Sequence, residues 1–338
     1  MVIRGLGTYI PEPRHTAAHI AAESGVPEAI VREKMGITQK PVPGPGDHSN
    51  AMGIRAARRA LADAGIAAAD VDVLISITEE HKEYPVWTAG IHAAHELGAS
   101  RAYAFDVGQK CGTAILALKL ADDMIRAGSA DTVLIAGGYR NGDLIDYRNP
   151  RTRFLNNLAA GGGAAVVSRN GPGPSAGNAR NFEILGSAFR TDGSFSLDVI
   201  VPVGGTVAPL TPENMQRSAF DVPDPAGMKA RLERKSLDNF VAVIEEACKR
   251  SAIRPAEAAY VAMLHMKRSA HEQILARVGV PSERSIYLSD YGHIGQVDTL
   301  LSLQLAREQG RLKPGDVAIL CAAGIGYVWN AMCVRLTA

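Results

Sequence analysis

The 338-residue chain has only four cysteines, and none lies close enough to another in sequence to suggest a zinc site or a disulfide framework. No metal is expected, and so sparse a set fits a reducing compartment. Charge imbalance is also lacking. The 36 Lys and Arg nearly cancel the 35 Asp and Glu, leaving a formal net charge of +1, which excludes a general nucleic-acid binder and a charged disordered tail. No window of about 18 apolar residues free of charge occurs, so no membrane insertion is expected. The start, MVIRGLGTYIP, lacks the charged-then-apolar order of a signal peptide. The expected location is the cytoplasm.

What the chain does have is apolar residues, 46% against 21% charged, enough for a large core shared by two tightly packed halves. Periodicity gives the first half as strand VIRGLGTYI, helix AMGIRAARRALADAG, strand VDVLISIT, helix WTAGIHAAHELG and strand RAYAFDV. A long helix after Cys111 and the strands DTVLIAGG and GAAVVS follow. The second half repeats the order: FEILGSAF, a Pro- and Gly-rich insertion, LDNFVAVIEEACKRS, AAYVAMLH, SAHEQILARVG, SIYLS, GQVDTLLSLQLAREQG, DVAILCAAG and GYVWNAMCVRL. This alternation predicts a mostly parallel sheet with helices on both faces. The halves are placed at 1–172 and 173–338.

One thiol stands apart. Cys248 lies in a helical run, and Cys321 and Cys333 lie in apolar strand-like runs, as small buried hydrophobes do. Cys111 sits between Gly108 and Gly112, with Lys110 before it, and the apolar period Ile115, Leu116, Leu118, Leu120, Met124, Ile125 begins only afterwards. That spacing puts it at a helix N-terminus, where free N–H groups and the helix dipole favour a thiolate. Two readings stand: a nucleophile, or a residue filling a crowded strand-to-helix corner. The repeat bears on the choice, because CGTAILALKLADDMIRAGSADTVLIAGG and HIGQVDTLLSLQLAREQGRLKPGDVAILCAAG share one pattern. If the halves pack about a pseudo-twofold axis, Cys111 and His293 occupy equivalent corners at strand carboxyl ends and face one cleft.

An ordered series of segments resembles the β-ketoacyl-acyl-carrier-protein synthase III family of the thiolase superfamily over nearly the whole chain. It comprises Met35–Thr38, the Cys111 junction, Gly161–Ala165, LHMKRSAHEQIL around His265, YGHIGQVD around His293 and the closing AAGIGYVWNA. The resemblance implies an α/β thiolase-like fold: two pseudo-twofold-related βαβαβαββ halves in a layered α/β/α/β/α core. It implies no cofactor, since coenzyme A or phosphopantetheine thioesters are substrates, with acyl-CoA or acyl-carrier protein as partner and a homodimer as the assembly. By position it makes Cys111 the acyl-accepting nucleophile and His265 the catalytic histidine. The oxyanion hole would be the N–H groups of Cys111 and Ile325, on the Gly324-Ile325-Gly326 turn. Gly324, Gly326, Tyr84 and Trp87 would shape the substrate site, with Tyr84, Pro85 and Trp87 at the dimer contact. Arg32, Lys34 and Lys40 fall where a coenzyme's phosphates would lie, although Ile30 replaces a tryptophan often found there.

Two positions depart from the family pattern. His293 stands where an asparagine is usual, and Arg268, assigned to the substrate site, ends a histidine motif that usually closes in asparagine. An amide only orients and donates, whereas an imidazole also accepts protons. Cys-His-His therefore suits transfer of the acyl group to a hydroxyl or amine, with Asp298 orienting His293. Decarboxylative condensation with a malonyl thioester is one alternative. Another is carbon–carbon bond formation without decarboxylation, with Glu79 as base; the competing reading of Glu79, Glu80, Lys82 and Glu83 is a solvated loop. An inactive partner subunit is disfavoured because Cys111 is present. His271 is expected to face solvent, and Gly161–Gly163 to allow close packing rather than phosphate binding.

Overall fold

The computed structural model describes residues 1–169 and 181–337, so the boundary at 172/173 lies outside the described residues. The first half runs β1 (Val2–Tyr9), β2 (Arg14–Thr16), α1 (Ala17–Ser24), α2 (Glu28–Glu33), β3 (Gln39–Pro41), α3 (Ser49–Ala64) and β4 (Val73–Ser76). It continues with α4 (Ala89–Leu97), β5 (Tyr103–Asp106), α5 (Thr113–Arg126), β6 (Thr132–Tyr139) and β7 (Gly161–Ser168). The second contains β8 (Phe182–Thr191), α6 (Pro225–Arg250), β9 (Tyr260–Met263), α7 (Arg268–Arg277), α8 (Asp298–Glu308), β10 (Val317–Gly324) and β11 (Val328–Leu336).

Nine strands form one sheet in the order β5-β4-β6-β7-β1-β8-β11-β10-β9. Within it β4-β6-β7-β1 is matched by β9-β10-β11-β8, the pseudo-twofold relation of the halves, which meet where Val2 pairs with Glu183 and Ile3 with Phe182. The expected mostly parallel sheet is corrected here. Only β4–β5, β4–β6 and β9–β10 run parallel, while β1, β7, β8 and β11 pair antiparallel with their neighbours. Each half ends in a returning strand, and apolar runs carry no information about direction.

Helices α3 and α4 cover the outer face of the first half, and α6 covers that of the second. Between the halves lie α5, which touches β6, β7, β10 and β11, and α8, which touches β1, β7, β9 and β10. The five layers follow from burial. In α8 every residue from Asp298 to Leu303 is buried, as a helix between two sheets requires, and α5 buries Ile115, Leu118 and Ile125. The run SIYLS forms no strand. Its polar atoms go elsewhere: Ser285 Oγ donates to Val261 O, Ile286 N to the Tyr260 hydroxyl oxygen, and Ser289 O accepts Thr38 N. Helix α6 begins twelve residues before the expected LDNF start, where Asp224 caps Gly227 N at 2.9 Å and Pro225 occupies the first turn.

Close backbone approach seats α3 on the sheet. A Cβ on Gly162 would stand 2.2 Å from Met52 O, while Gly161 and Gly163, on the opposite face, admit Ile294 and Val297 at 3.0 Å. The glycine run therefore serves packing on both faces of β7. Because the obstacle at Gly162 is helix backbone, Gly162→Ala should destabilise the protein by about 2–3 kcal/mol, read as a lowered midpoint in denaturant unfolding.

Candidate active site

Strand β5 ends at Asp106, and the chain turns through Lys110–Gly112 into α5, placing half-buried Cys111 at that helix's start. The turn is tightly held. Lys110 has φ +52°, a left-handed conformation uncommon for a side-chain-bearing residue. Thr113 Oγ1 accepts Gln109 N at 2.8 Å and donates to Lys110 O at 2.5 Å. From the other half, Asn330 Nδ2 on β11 donates to Gly112 O and Gln109 Oε1, both at 2.9 Å. The β10–β11 turn reaches the same spot, since a Cβ on Gly324 would lie 3.1 Å from Cys111 N. Thus Gly324-Ile325-Gly326 stands beside the thiol's backbone.

His293 approaches from the second half. Its Nε2 lies 3.1 Å from Cys111 Sγ and its Nδ1 2.5 Å from Asp298 Oδ2. Asp298, fully buried at the first turn of α8, also accepts His265 N at 2.8 Å and, through Oδ1, Ile294 N at 2.7 Å. Burial alone would lower the His293 pKa. Its charge pairing with Cys111 and Asp298 and its hydrogen bonds to both outweigh that, holding it well above the ordinary histidine value. The sulfur and the Asp298 carboxylate thus bracket the imidazole from its two ring nitrogens. The three groups form a Cys111–His293–Asp298 chain.

His265, buried beneath this chain, turns elsewhere. Its Nδ1 accepts Asn157 Nδ2 at 2.9 Å, so Nε2 carries the proton and donates to Gly36 O at 3.2 Å. Burial lowers its pKa to about 4. The structure thus joins Cys111, His293 and Asp298 directly, and links His265 to them through its backbone N–H on Asp298. Arg268 stacks on Tyr287, 4.1 Å from the ring centroid. His271, expected in solvent, is buried at 4% exposure with its ring edge-on to Tyr287. The correction has a local cause, because Tyr287 from the SIYLS run covers that face of α7.

Glu79 is buried and joined to Glu80 rather than solvated in a loop. Burial, then the hydrogen bond and charge of Glu80, raise its pKa to about 8. Lys110 Nζ stands 2.5 Å from Glu80 Oε1 and 4.0 Å from Glu79 Oε2. That shift favours the neutral form of Glu79, and the Glu79–Glu80–Lys110 cluster flanks Cys111, the residue after Lys110. Tyr84 is 65% exposed and meets Trp87 edge-on. The basic residues assigned to phosphates separate: Arg32 pairs with Glu28 and Lys34 is exposed, whereas Lys40 is buried on β3, its Nζ donating to Asn156 O and Leu158 O. Such burial removes Lys40 from phosphate contact. Asn157 and Tyr139, whose ring packs 6.0 Å from that of His293, carry no sequence signal of a place at the site, and Gly36 entered only as part of Met35–Thr38; no spacing ties Asn157 to a histidine 108 residues away.

Comparison with known proteins agrees in extent with this architecture. The family model for 3-oxoacyl-(acyl-carrier-protein) synthase III matches residues 105–193, and the model for its C-terminal part matches 248–336, together just over half of the chain. The chain belongs to the 3-oxoacyl-(acyl-carrier-protein) synthase III-like family of the thiolase superfamily. The β-ketoacyl-(acyl-carrier-protein) synthase III of Rhodospirillum rubrum is 28% identical over 338 residues, with 99% of each chain covered. In fold, the chain matches the 3-oxoacyl-(acyl-carrier-protein) synthase III of Aquifex aeolicus with TM-score 0.83, 22% identity and 99% of each chain covered. The priming β-ketosynthase of the R1128 polyketide pathway gives TM-score 0.83 and 22% identity, covering 99% of this chain and 95% of that one. Membership in this synthase III-like family is thus compatible with a histidine at 293.

Three histidines share one electrostatic consequence. His15, His265 and His271 are each lowered by burial to about 4. The folded protein therefore binds fewer protons than the unfolded chain, so their stabilising contribution is complete above pH 6.5 and lost as pH falls toward 4. Glu79, raised to about 8, acts in the opposite sense between about 4.5 and 8, and His293, held above its ordinary value, does so mainly above pH 6.5, so below 6.5 the three lowered histidines prevail. Thermal stability should fall from pH 6.5 to 4.5. His271→Phe should make that fall shallower by on the order of 2 kcal/mol, measured by calorimetry across the range.

Proposed function

We propose that this synthase III-like protein is a thioester-dependent acyltransferase that forms an acyl-Cys111 intermediate and passes the acyl group to a hydroxyl or amine acceptor. The observation that carries the reading is the 3.1 Å Cys111 Sγ–His293 Nε2 contact, backed by the 2.5 Å His293 Nδ1–Asp298 bond. The donor is an acyl-CoA or acyl-carrier-protein thioester. Cys111 thiolate attacks its carbonyl, and the oxyanion is held by the N–H groups of Cys111 and Ile325. The carbon–sulfur bond to the carrier breaks, and the departing thiolate takes the His293 Nε2 proton. Neutral His293 then removes the acceptor's proton as its oxygen or nitrogen attacks the acyl carbon, and collapse expels Cys111 as thiolate. Asp298 holds the Nδ1 proton throughout. An imidazole fixed by a buried carboxylate can accept a proton, which the usual amide cannot.

Decarboxylative condensation remains the second reading, supported by the synthase names of the relatives. Carbon–carbon bond formation through Glu79 is a third reading, supported by a buried carboxyl beside Lys110 whose pKa is raised toward the working range of a general base. Soluble cytoplasmic operation fits the lack of any helix long and apolar enough to cross a membrane among the described residues.

Incubation with short and medium acyl-CoAs should add one acyl mass to the wild type and none to Cys111→Ala, by intact-protein mass spectrometry. His293→Asn should slow acceptor transfer by about 10²–10⁴-fold and acylation by less. Carbon dioxide release matching 3-oxoacyl product formation in the wild type, unaffected by His293→Asn, would instead establish the condensing reaction.

The proposed assembly is a homodimer with Tyr84 and Trp87 at the contact. Exposed Tyr84, Val86, Ile91 and Tyr103 on the loop before α4, on α4 and on the edge strand β5 support it. Light scattering at micromolar concentration should give twice the chain mass, and Tyr84→Glu together with Ile91→Glu should reduce it to one.

A further inference from the structure

Lys40 is 1% exposed, its Nζ lies 5.0 Å from the centroid of the Tyr147 ring, and among the described residues no salt bridge joins it to a carboxylate. Its Nζ donates to Asn156 O at 2.8 Å and Leu158 O at 2.6 Å, the carbonyls on either side of Asn157. Asn157 is where the two site histidines are tied together. Its carbonyl accepts His293 N at 2.8 Å, its side-chain amide donates to His265 Nδ1 at 2.9 Å, and the following Ala159 N donates to His293 O at 2.9 Å. Packing closes the arrangement from the far side. At Gly292, immediately before His293, a Cβ would lie 2.6 Å from Asn157 O and 3.0 Å from Lys40 Cβ.

We propose that Lys40 is a positioning residue, whose two hydrogen bonds clamp the 156–158 segment and thereby set His293 against Cys111. The inference rests on reading Cys111 and His293 as the reacting pair. An apolar side chain in its place would leave two buried carbonyls unpaired, at a cost well above that of losing a surface hydrogen bond. Burying an ammonium without a counter-charge is unfavourable, and desolvation lowers Lys40 to about 7. The clamp survives that titration, because a neutral amine keeps two N–H donors for its two carbonyls.

The test measures alkylation of Cys111 by iodoacetamide in the full-length protein from pH 5 to 10, followed by intact mass, with the melting temperature recorded separately. The other three cysteines are fully buried, so the readout is specific. Lys40→Met should slow alkylation at neutral pH about tenfold and near pH 10 by much less, because the His293 contact assists the reaction only while the imidazole is protonated. Lys40→Gln, which keeps a donor on a shorter stem, should fall between. A lowered melting temperature with a wild-type pH profile in either soluble variant would overturn the inference; Lys40→Gln alone decides if Lys40→Met does not fold. A wild type without preferential alkylation at Cys111 would overturn the reacting pair itself, a separate outcome.

Discussion

The carboxylate of Asp298 is the constraint on which the site depends. A fully buried carboxylate is tolerable only when donors surround it, and here His293 Nδ1, His265 N and Ile294 N all point at it. Its place in the first turn of α8 adds the favourable end of the helix dipole. Those donors come from the segments before α7 and α8, so satisfying one charge draws both histidine-bearing loops together. The imidazole is left with one tautomer and one direction, its Nε2 toward sulfur.

The two acid clusters near Cys111 divide their work by environment. Asp298 is saturated with donors. Glu79 is instead pushed toward its neutral form beside Glu80, which pairs with Lys110. The second arrangement puts a neutral carboxyl and a compensated ion pair on the flank of Cys111, so that the net charge it presents is small. In this chain the histidine at 293, rather than the one at 265, meets the thiol.

Support for this geometry comes from the central layer. Because α5 and α8 both begin at the site and are both packed between the two sheet halves, neither helix start can shift without disturbing strands on two sides. Glycines at Gly161 and Gly163 let the turn after His293 lie directly on β7, while Gly324 lets β10 end against the Cys111 backbone. Close backbone contact, more than side-chain bulk, sets the spacing between the thiol and the imidazole.

Much of this was legible in one chain of letters because it is local. Apolar period placed the helix start after Cys111, and the repeated junction pattern put His293 in the matching corner, with Asp298 one turn beyond. Those features depend on neighbours within a few residues. Strand direction, the loss of the SIYLS strand, the burial of His271 and Lys40 and the raised pKa of Glu79 depend on what lies across the fold, and period and composition do not encode that. His265 shows the division best: its motif marked it as a site residue, yet its ring direction was decided by Asn157 and the carbonyl of Gly36, 108 and 229 residues away. Only tertiary packing could bring those partners to it, since hydrogen-bond direction is a property of the assembled surroundings and not of the segment that bears the side chain.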